Sequence, residues 1–329
     1  MKATWFEIFG SPEESIIFGE VPTPEVGVGE VLVKMKTTGV NPSDTKKRAG
    51  AFPNLLDGGL VIPHSDGAGV IEAVGEGVDQ SRIGERVWVY QAQFGRRFGS
   101  AAEYVAIESV RAPVLADNAS FEVGAVLGIP VMTAHRCVFA DGDVQGQTIL
   151  VTGGAGRVGY YAIQWAKRAG ATVVATASNE ADKALCLELG ADHVVNHRNE
   201  NWSAQVLEAT AGTKVDRVVD VEFGQNLPEV LQCIKVGGVI ATYSSTVVPQ
   251  PQLPFKDMMF MDLTLRMVIV YAMPEQAKLD AIADIDEVLS GNEFSHRIAH
   301  SLPFNKMAKS HELIEAGGFG GCVVVNIDS

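Results

Sequence analysis

The residues with the most definite chemistry are Gly154-Ala155-Gly156-Arg157-Val158-Gly159. They follow the short apolar run Thr148–Thr152 and precede a helical pattern from Val158 to Ala169, closed by Gly170. This is the order a dinucleotide-binding turn requires: strand, glycine loop, helix. Gly154 permits a tight turn, Gly156 admits a pyrophosphate against the backbone, and Gly159 lets helix and strand pack closely. Unpaired amides at the start of the helix then meet the phosphates, assisted by the helix dipole. The competing reading is a purely structural strand-to-helix turn.

The next strand end selects the dinucleotide. An acid about 20 residues past the glycines would grip the ribose 2′-hydroxyl of NAD and repel a 2′-phosphate. The stretch Ala175-Thr176-Ala177-Ser178-Asn179 contains no acid. Ser178 and Asn179 offer neutral donors, and Lys183, a turn later, offers a cation. NADPH is therefore favoured over NADH, although Glu180 and Asp182 flank the position and Lys183 serves equally well as a solvated helix charge.

These residues need elements to hold them, and the sequence changes texture twice. Residues 1–122 carry short alternating runs between Gly and Pro turns, among them Glu30–Lys36, Gly69–Gly75 and Arg86–Tyr90. They read as strands of a partly open β-barrel. Residues 123–265 alternate strands with helices, as in a parallel sheet covered on both faces. The strands fall at 148–152, 172–176, 193–195, 217–221 and 238–243, with helices near 158–169, 182–189 and 227–234. Residues 266–329 hold a strand at Arg266–Tyr271, helices near 275–289 and 306–316, and a strand at Cys322–Val325 that folds back on the first zone. The fold class is α/β.

Composition narrows the function. A net charge of −14 over 329 residues excludes general affinity for nucleic acid or an anionic membrane surface. No apolar run reaches the length of a bilayer span, and the N-terminus shows no secretory pattern. Cys137, Cys186, Cys233 and Cys322 are dispersed and read as reduced core thiols, which points to the cytoplasm.

The motifs taken together resemble one family. Gly39-Val40-Asn41-Pro42-Ser43-Asp44, Pro63–Val70, Gly84–Val87, Ala102-Glu103-Tyr104, Gly128–Ala134, the glycine loop, Leu189–Asp192 and Ser310–Leu313 are similar to the zinc-independent medium-chain dehydrogenase/reductases of the quinone oxidoreductase (zeta-crystallin-like) type. The resemblance implies a GroES-like β-barrel catalytic domain, 1–122 with 266–329, and a Rossmann nucleotide-binding domain, 123–265. It implies an active site in the cleft and a homo-oligomer, dimer or tetramer, formed by pairing edge strands, with Arg266–Tyr271 as the expected edge.

The resemblance also assigns roles. In zinc-dependent relatives a cysteine stands at the position of Asn41 and a histidine at that of Ser65, followed by an acid that survives as Asp66. His64 and one carboxylate do not make a catalytic zinc site, so no metal is expected. Without a Lewis acid, the acceptor must already accept hydride readily. The implied activity is metal-free hydride transfer from NADPH to a quinone. The alternatives are reduction of activated C=C bonds, as in enones, alkenals or haloacrylates, and a cofactor-binding structural or regulatory role of the crystallin kind. Asn41, Lys46 and Ser65 are the expected catalytic residues, with Lys46 standing where many relatives have tyrosine. Asn41, Thr133, residues 154–159, Ser178, Asn179, Lys183, His197, Val221, Phe223, Tyr243, Ser244 and Ser245 are the expected cofactor contacts. Asp44 is expected to orient its loop, and Arg96 and Arg97 to lie in a loop.

Overall fold

The computed structural model describes residues 1–328. It divides into two compact units, Met1–Ile129 with the tail from Ile282, and Pro130–Ala281. These limits differ from the expected 1–122 plus 266–329 and 123–265. The second unit keeps the chain longer because residues 264–267 add a further parallel strand to its sheet.

The first unit is a β structure built around one long strand. Strands β1 (Lys2–Trp5) and β2 (Ile17–Glu20) form an antiparallel pair. Strand β3 (Glu30–Val40) pairs along its length with β4 (Asp66–Val74), which pairs in turn with β5 (Arg86–Val89). Strand β6 (Tyr104–Glu108) takes the Glu30–Lys34 half of β3. Alternation explains the seating of β3: Val31, Val33 and Met35 are buried and Lys34 is exposed, as a period of two demands. These side chains join Ile71, Val87, Val105 and Ile107 in the core.

The second unit is a six-stranded parallel sheet. Its strands are β7 (Thr148–Val151), β8 (Thr172–Ala177), β9 (His193–Asn196), β10 (Val215–Asp220), β11 (Ile234–Thr242) and β12 (Thr264–Met267), in the order β12-β11-β10-β7-β8-β9. Helices Arg157–Arg168, Glu180–Glu188, Trp202–Ala209 and Phe223–Cys233 make the crossovers. The strands are apolar on both faces, which suits a sheet covered on both sides: Ile149, Leu150, Val151, Val173, Val174 and Val218 are all inaccessible. Strand order reverses between β7 and β10, where such sheets open a crevice for a ligand.

The expected strand at Arg266–Tyr271 starts earlier and is shorter. β11 ends at Thr242, so its ladder has partners only for residues 264–267, after which the Val268 amide bonds Thr242 O and a 3₁₀ turn follows at Val270–Ala272. The tail then returns as expected. β13 (Ile298–Pro303) lies parallel to β14 (Cys322–Asn326), and β14 pairs antiparallel with the Thr37–Val40 half of β3.

Candidate functional site

The glycine loop is fixed by residues of β8. Gly153 N donates to Thr176 Oγ1 at 2.9 Å and Gly154 N to Thr176 O at 2.9 Å. Thr152 Oγ1 donates to Asp220 Oδ1 at 2.7 Å and accepts from Val221 N at 2.9 Å, tying β7 to the end of β10. Gly156 is the N-cap of the helix Arg157–Arg168 and provides no side-chain cap. The amides of the first helical turn are left for a ligand. A Cβ on Gly159 would stand 2.3 Å from Gly153 O, so only glycine lets the helix approach the loop this closely. The cradle fits a pyrophosphate.

Two cavities open at the C-terminal ends of the second unit's strands. One, of about 610 Å³, is lined by Thr152, Gly153, Thr176, His197, Val221 and Glu222 among others. The other, of about 400 Å³, is lined by Phe223, Tyr243, Ser244, Ser245, Met267 and Ile269 among others. Phe223 N bonds Ser244 O at 3.0 Å, which draws the ends of β10 and β11 together. The expected contacts after β7, β10 and β11 thus converge at the C-terminal edge of the sheet. Thr133 is buried on the helix Met132–Phe139 of the same unit.

The residues expected to read the 2′-position are arranged less openly. Ser178 is half-buried after β8. Asn179 caps the helix Glu180–Glu188: its Oδ1 accepts from Asp182 N at 2.9 Å and its Nδ2 donates to Asp182 Oδ2 at 2.8 Å. Lys183 Nζ lies 3.7 Å from Glu180 Oε2 on the exposed first turns. An exposed pair of this kind is weak, about 0.3–0.5 kcal/mol, so the ammonium can turn to a phosphate.

The first unit carries a buried polar cluster at the start of β4. Asn41 and Pro42 begin the helix Pro42–Arg48 as a capping box, with the Asn41 side chain accepting from the amide of residue 44 and Asp44 Oδ2 accepting from Asn41 N at 2.8 Å. Asp44 therefore orients its turn. Asn41 Nδ2 also donates to Asp66 Oδ2 at 2.9 Å, and Ile129 N donates to the same oxygen at 2.8 Å. A Cβ on Gly128 would meet Asp66 Oδ1 at 2.2 Å, so glycine is what admits the carboxylate here. Burial pushes the Asp66 carboxyl up to about 8, against the lowering effect of the Ile129 and Asn41 donors. Burial likewise raises Asp44 to about 6, with Lys47 opposing.

Lys46 and Lys47 have opposite surroundings. Lys46 is exposed on its helix, whereas Lys47 is 6% exposed. Lys47 Nζ donates to Gln93 O at 2.8 Å and lies 3.5 Å from Ser65 Oγ. The sequence singled out Lys46 and not Lys47, its neighbour in the basic run Lys46-Lys47-Arg48. Helical phase was the available signal, since one residue further round turns the side chain inward. Behind Ser65, His64 adopts φ +76 and its ring is held at both ends: Nε2 lies 2.9 Å from His311 Nε2, and Nδ1 lies 3.0 Å from Thr38 Oγ1. Burial takes His64 down to about 3, with Lys47 adding to the effect. Arg96 and Arg97 donate to Ala106 O and Gly58 O, and so brace their loop.

The cluster does not fit a catalytic zinc. Asn41 turns an N–H donor to Asp66, Ser65 offers a neutral hydroxyl, and an ammonium lies between them and Gln93. Zinc prefers thiolate, imidazole and carboxylate ligands, and a neighbouring cation opposes it. Among the described residues no group of three His, Cys, Asp or Glu side chains is placed to hold a metal ion. The four cysteines are buried and form no disulfide among the described residues. Among the described residues no helix is long and apolar enough to cross a membrane.

Comparison with known proteins places the chain. Residues 27–117 match the alcohol dehydrogenase GroES-like domain, and residues 158–287 match the family described as zinc-binding dehydrogenase. A quinone oxidoreductase of Rattus norvegicus is 33% identical over 242 residues, covering 72% of this chain and 71% of its own. A 2-methylene-furan-3-one reductase of Solanum lycopersicum is 32% identical over 254 residues, covering 76% of this chain and 63% of its own. A mycobacterial protein solved in complex with NADPH superposes with a TM-score of 0.88 at 26% identity, covering 99% of this chain and 100% of that one. The chain belongs to the medium-chain dehydrogenase/reductase family, in its quinone oxidoreductase branch, and is an oxidoreductase of the NAD(P)-binding kind. That family's description names zinc; Asn41 and Ser65, which the resemblance sets at the zinc-ligand positions, are an amide and a hydroxyl.

Proposed function

We propose that this protein is an NADPH-dependent quinone oxidoreductase that works without a metal. The observation that carries the reading is the buried cluster of Asn41, Ser65, Asp66 and Lys47, whose donors suit an acceptor oxygen and not a metal ion. When bound, NADPH supplies the hydride. The chain's own residues do the rest. The glycine loop and the first turn of the helix Arg157–Arg168 hold the pyrophosphate. Val221, Phe223, Tyr243, Ser244 and Ser245 line the remaining cofactor path. Ser178, Asn179 and Lys183 receive the 2′-phosphate without a carboxylate at the end of β8 to repel it. Asn41 and Ser65 hold the acceptor oxygen as negative charge develops on it. Lys46, exposed on the helix that Asn41 caps, meets the acceptor from solvent.

The second reading is reduction of an activated C=C bond, supported by the similarity to the furanone reductase. Both readings use the same residues and differ in the acceptor. Steady-state NADPH oxidation with matched panels of quinones and enones tests them. Quinones should give the higher kcat/KM; preference for enones would select the second reading. Tight NADPH binding with no acceptor turned over would leave the structural, crystallin-like role instead.

We further infer that a second copy of the chain pairs at β12, the open edge of the second unit's sheet, in a cytoplasmic homo-oligomer. Apolar side chains exposed on and beside this edge, Phe260 (78%), Met267 (71%) and Ile269 (56%), support it.

A further inference from the structure

We propose that Lys47 is a positioning residue of the acceptor site, its buried ammonium standing in for metal charge among Asn41, Ser65 and Asp66. The inference rests on the reading above, in which Asn41 and Ser65 serve the acceptor. Of the basic run 46–48, only Lys47 delivers its charge to this cluster. Lys46 is exposed, and Arg48 turns away to Gly10 O and Glu315.

Burying an ammonium is costly, and a role in packing alone could be met by an apolar side chain of similar length. Here the charge is surrounded by groups that use it. Nζ lies 2.8 Å from Gln93 O and 3.5 Å from Ser65 Oγ, and the carboxyls of Asp44, on the same helix, and Asp66, on β4, favour its charged form. His64, on the segment before β4, faces it as a neutral ring. One oxygen of each carboxyl, Asp44 Oδ1 and Asp66 Oδ1, has no hydrogen-bond partner among the described residues, so hydrogen bonds alone do not satisfy the pair. Lys47 supplies that compensation. A serine hydroxyl that accepts from an ammonium keeps its own proton to donate, which orients Ser65 as a donor to an acceptor oxygen. Lys47 acts through Ser65 and does not touch the acceptor.

The test compares K47M, K47R, D66N and K47M/D66N with the unaltered protein. K47M alone can fail by leaving the buried Asp44 and Asp66 carboxyls without their cation; D66N replaces Asp66 by a neutral group of the same shape, so the double variant separates the function from the fold. Thermal melting, NADPH dissociation constants from fluorescence, and kcat and KM for a quinone are measured on each. We expect K47M/D66N to melt near the temperature of the unaltered protein and bind NADPH within about twofold, with kcat lower than that of D66N by on the order of 100-fold, as for loss of one oxyanion donor. K47R, which keeps the charge, should retain kcat within about tenfold. A folded K47M/D66N with kcat within about threefold of D66N would overturn the role of Lys47 and leave the quinone reductase reading standing. No turnover of any acceptor by the unaltered protein would overturn both.

Discussion

In the proposed function, the glycine loop of the second unit and the polar cluster of the first solve the same problem, placing charge near a ligand, in different ways. The loop uses backbone: six consecutive residues, a helix start and two bonds to Thr176. The cluster draws on five separate segments, those of residues 41–47, 64–66, 93, 128–129 and 311, and sets its side chains against two backbone groups, Gln93 O and Ile129 N. Backbone sites are encoded locally, because spacing alone decides whether amides converge. Side-chain sites are encoded by the fold, because each group is useful only where the others arrive. The loop should therefore fail by sterics at single positions, and the cluster by loss of charge balance.

The largest effect should come from breaking the loop. Gly159→Val places a side chain 2.3 Å from Gly153 O. NADPH affinity should fall by at least about 100-fold, equivalent to about 3 kcal/mol or more, in a fluorescence titration. Retained affinity would mean the loop does not hold the pyrophosphate.

The cluster should show itself in the pH dependence of stability. His64 has a folded pKa of about 3, below its ordinary 6.5, so its contribution is complete above 6.5 and is lost as pH falls toward 3. Burial also holds His311 well below 6.5, in the same sense. Asp66, at about 8 against an ordinary 3.8, contributes fully below 3.8 and loses that contribution as pH rises to 8. Asp44 does the same up to about 6. From about 3.8 to 6 the two carboxyls and two histidines oppose each other; from 6.5 to 8 Asp66 acts alone. Stability should peak near pH 6.5 and drop by about 2 kcal/mol by pH 8, at 1.36 kcal/mol per unit. Urea unfolding at both pH values checks this, and Asp66→Asn should flatten the drop. An unchanged slope in that variant would locate the titration elsewhere.

Thr176→Val tests the link between loop and sheet more gently. It leaves Gly153 N without its acceptor, at a cost of about 1–3 kcal/mol. Thermal melting should fall by several degrees and NADPH affinity by about tenfold. Lys183→Ala should have the smallest effect, a several-fold weaker affinity for NADPH with NADH unchanged, because Glu180 already shares the lysine's charge. Equal losses for both cofactors would remove the 2′-phosphate role.

The same contrast explains what the sequence made legible. The strand, loop and helix at 148–169, the alternation of strands and helices that follows, and the return of Cys322–Val325 to the first unit follow local period, and the structure holds them within a few residues, save the helix Trp202–Ala209, which was not expected. The zone boundary at 266 was misplaced because residues 264–267 read alike as barrel or Rossmann strand; only the open edge of β11 decides it. In the cluster, Asn41 and Ser65 were identifiable by motif. The burial of Lys47 rather than Lys46, and the pairing of His64 with His311 across 247 residues, depend on tertiary packing that no local pattern reports.

The central claim is NADPH-dependent reduction by side chains in place of a metal. Metal analysis and quinone turnover before and after exhaustive chelation test it most directly. The account predicts no stoichiometric zinc and an unchanged kcat with NADPH after chelation. One zinc per chain, with activity lost on chelation and restored by added zinc, would contradict it.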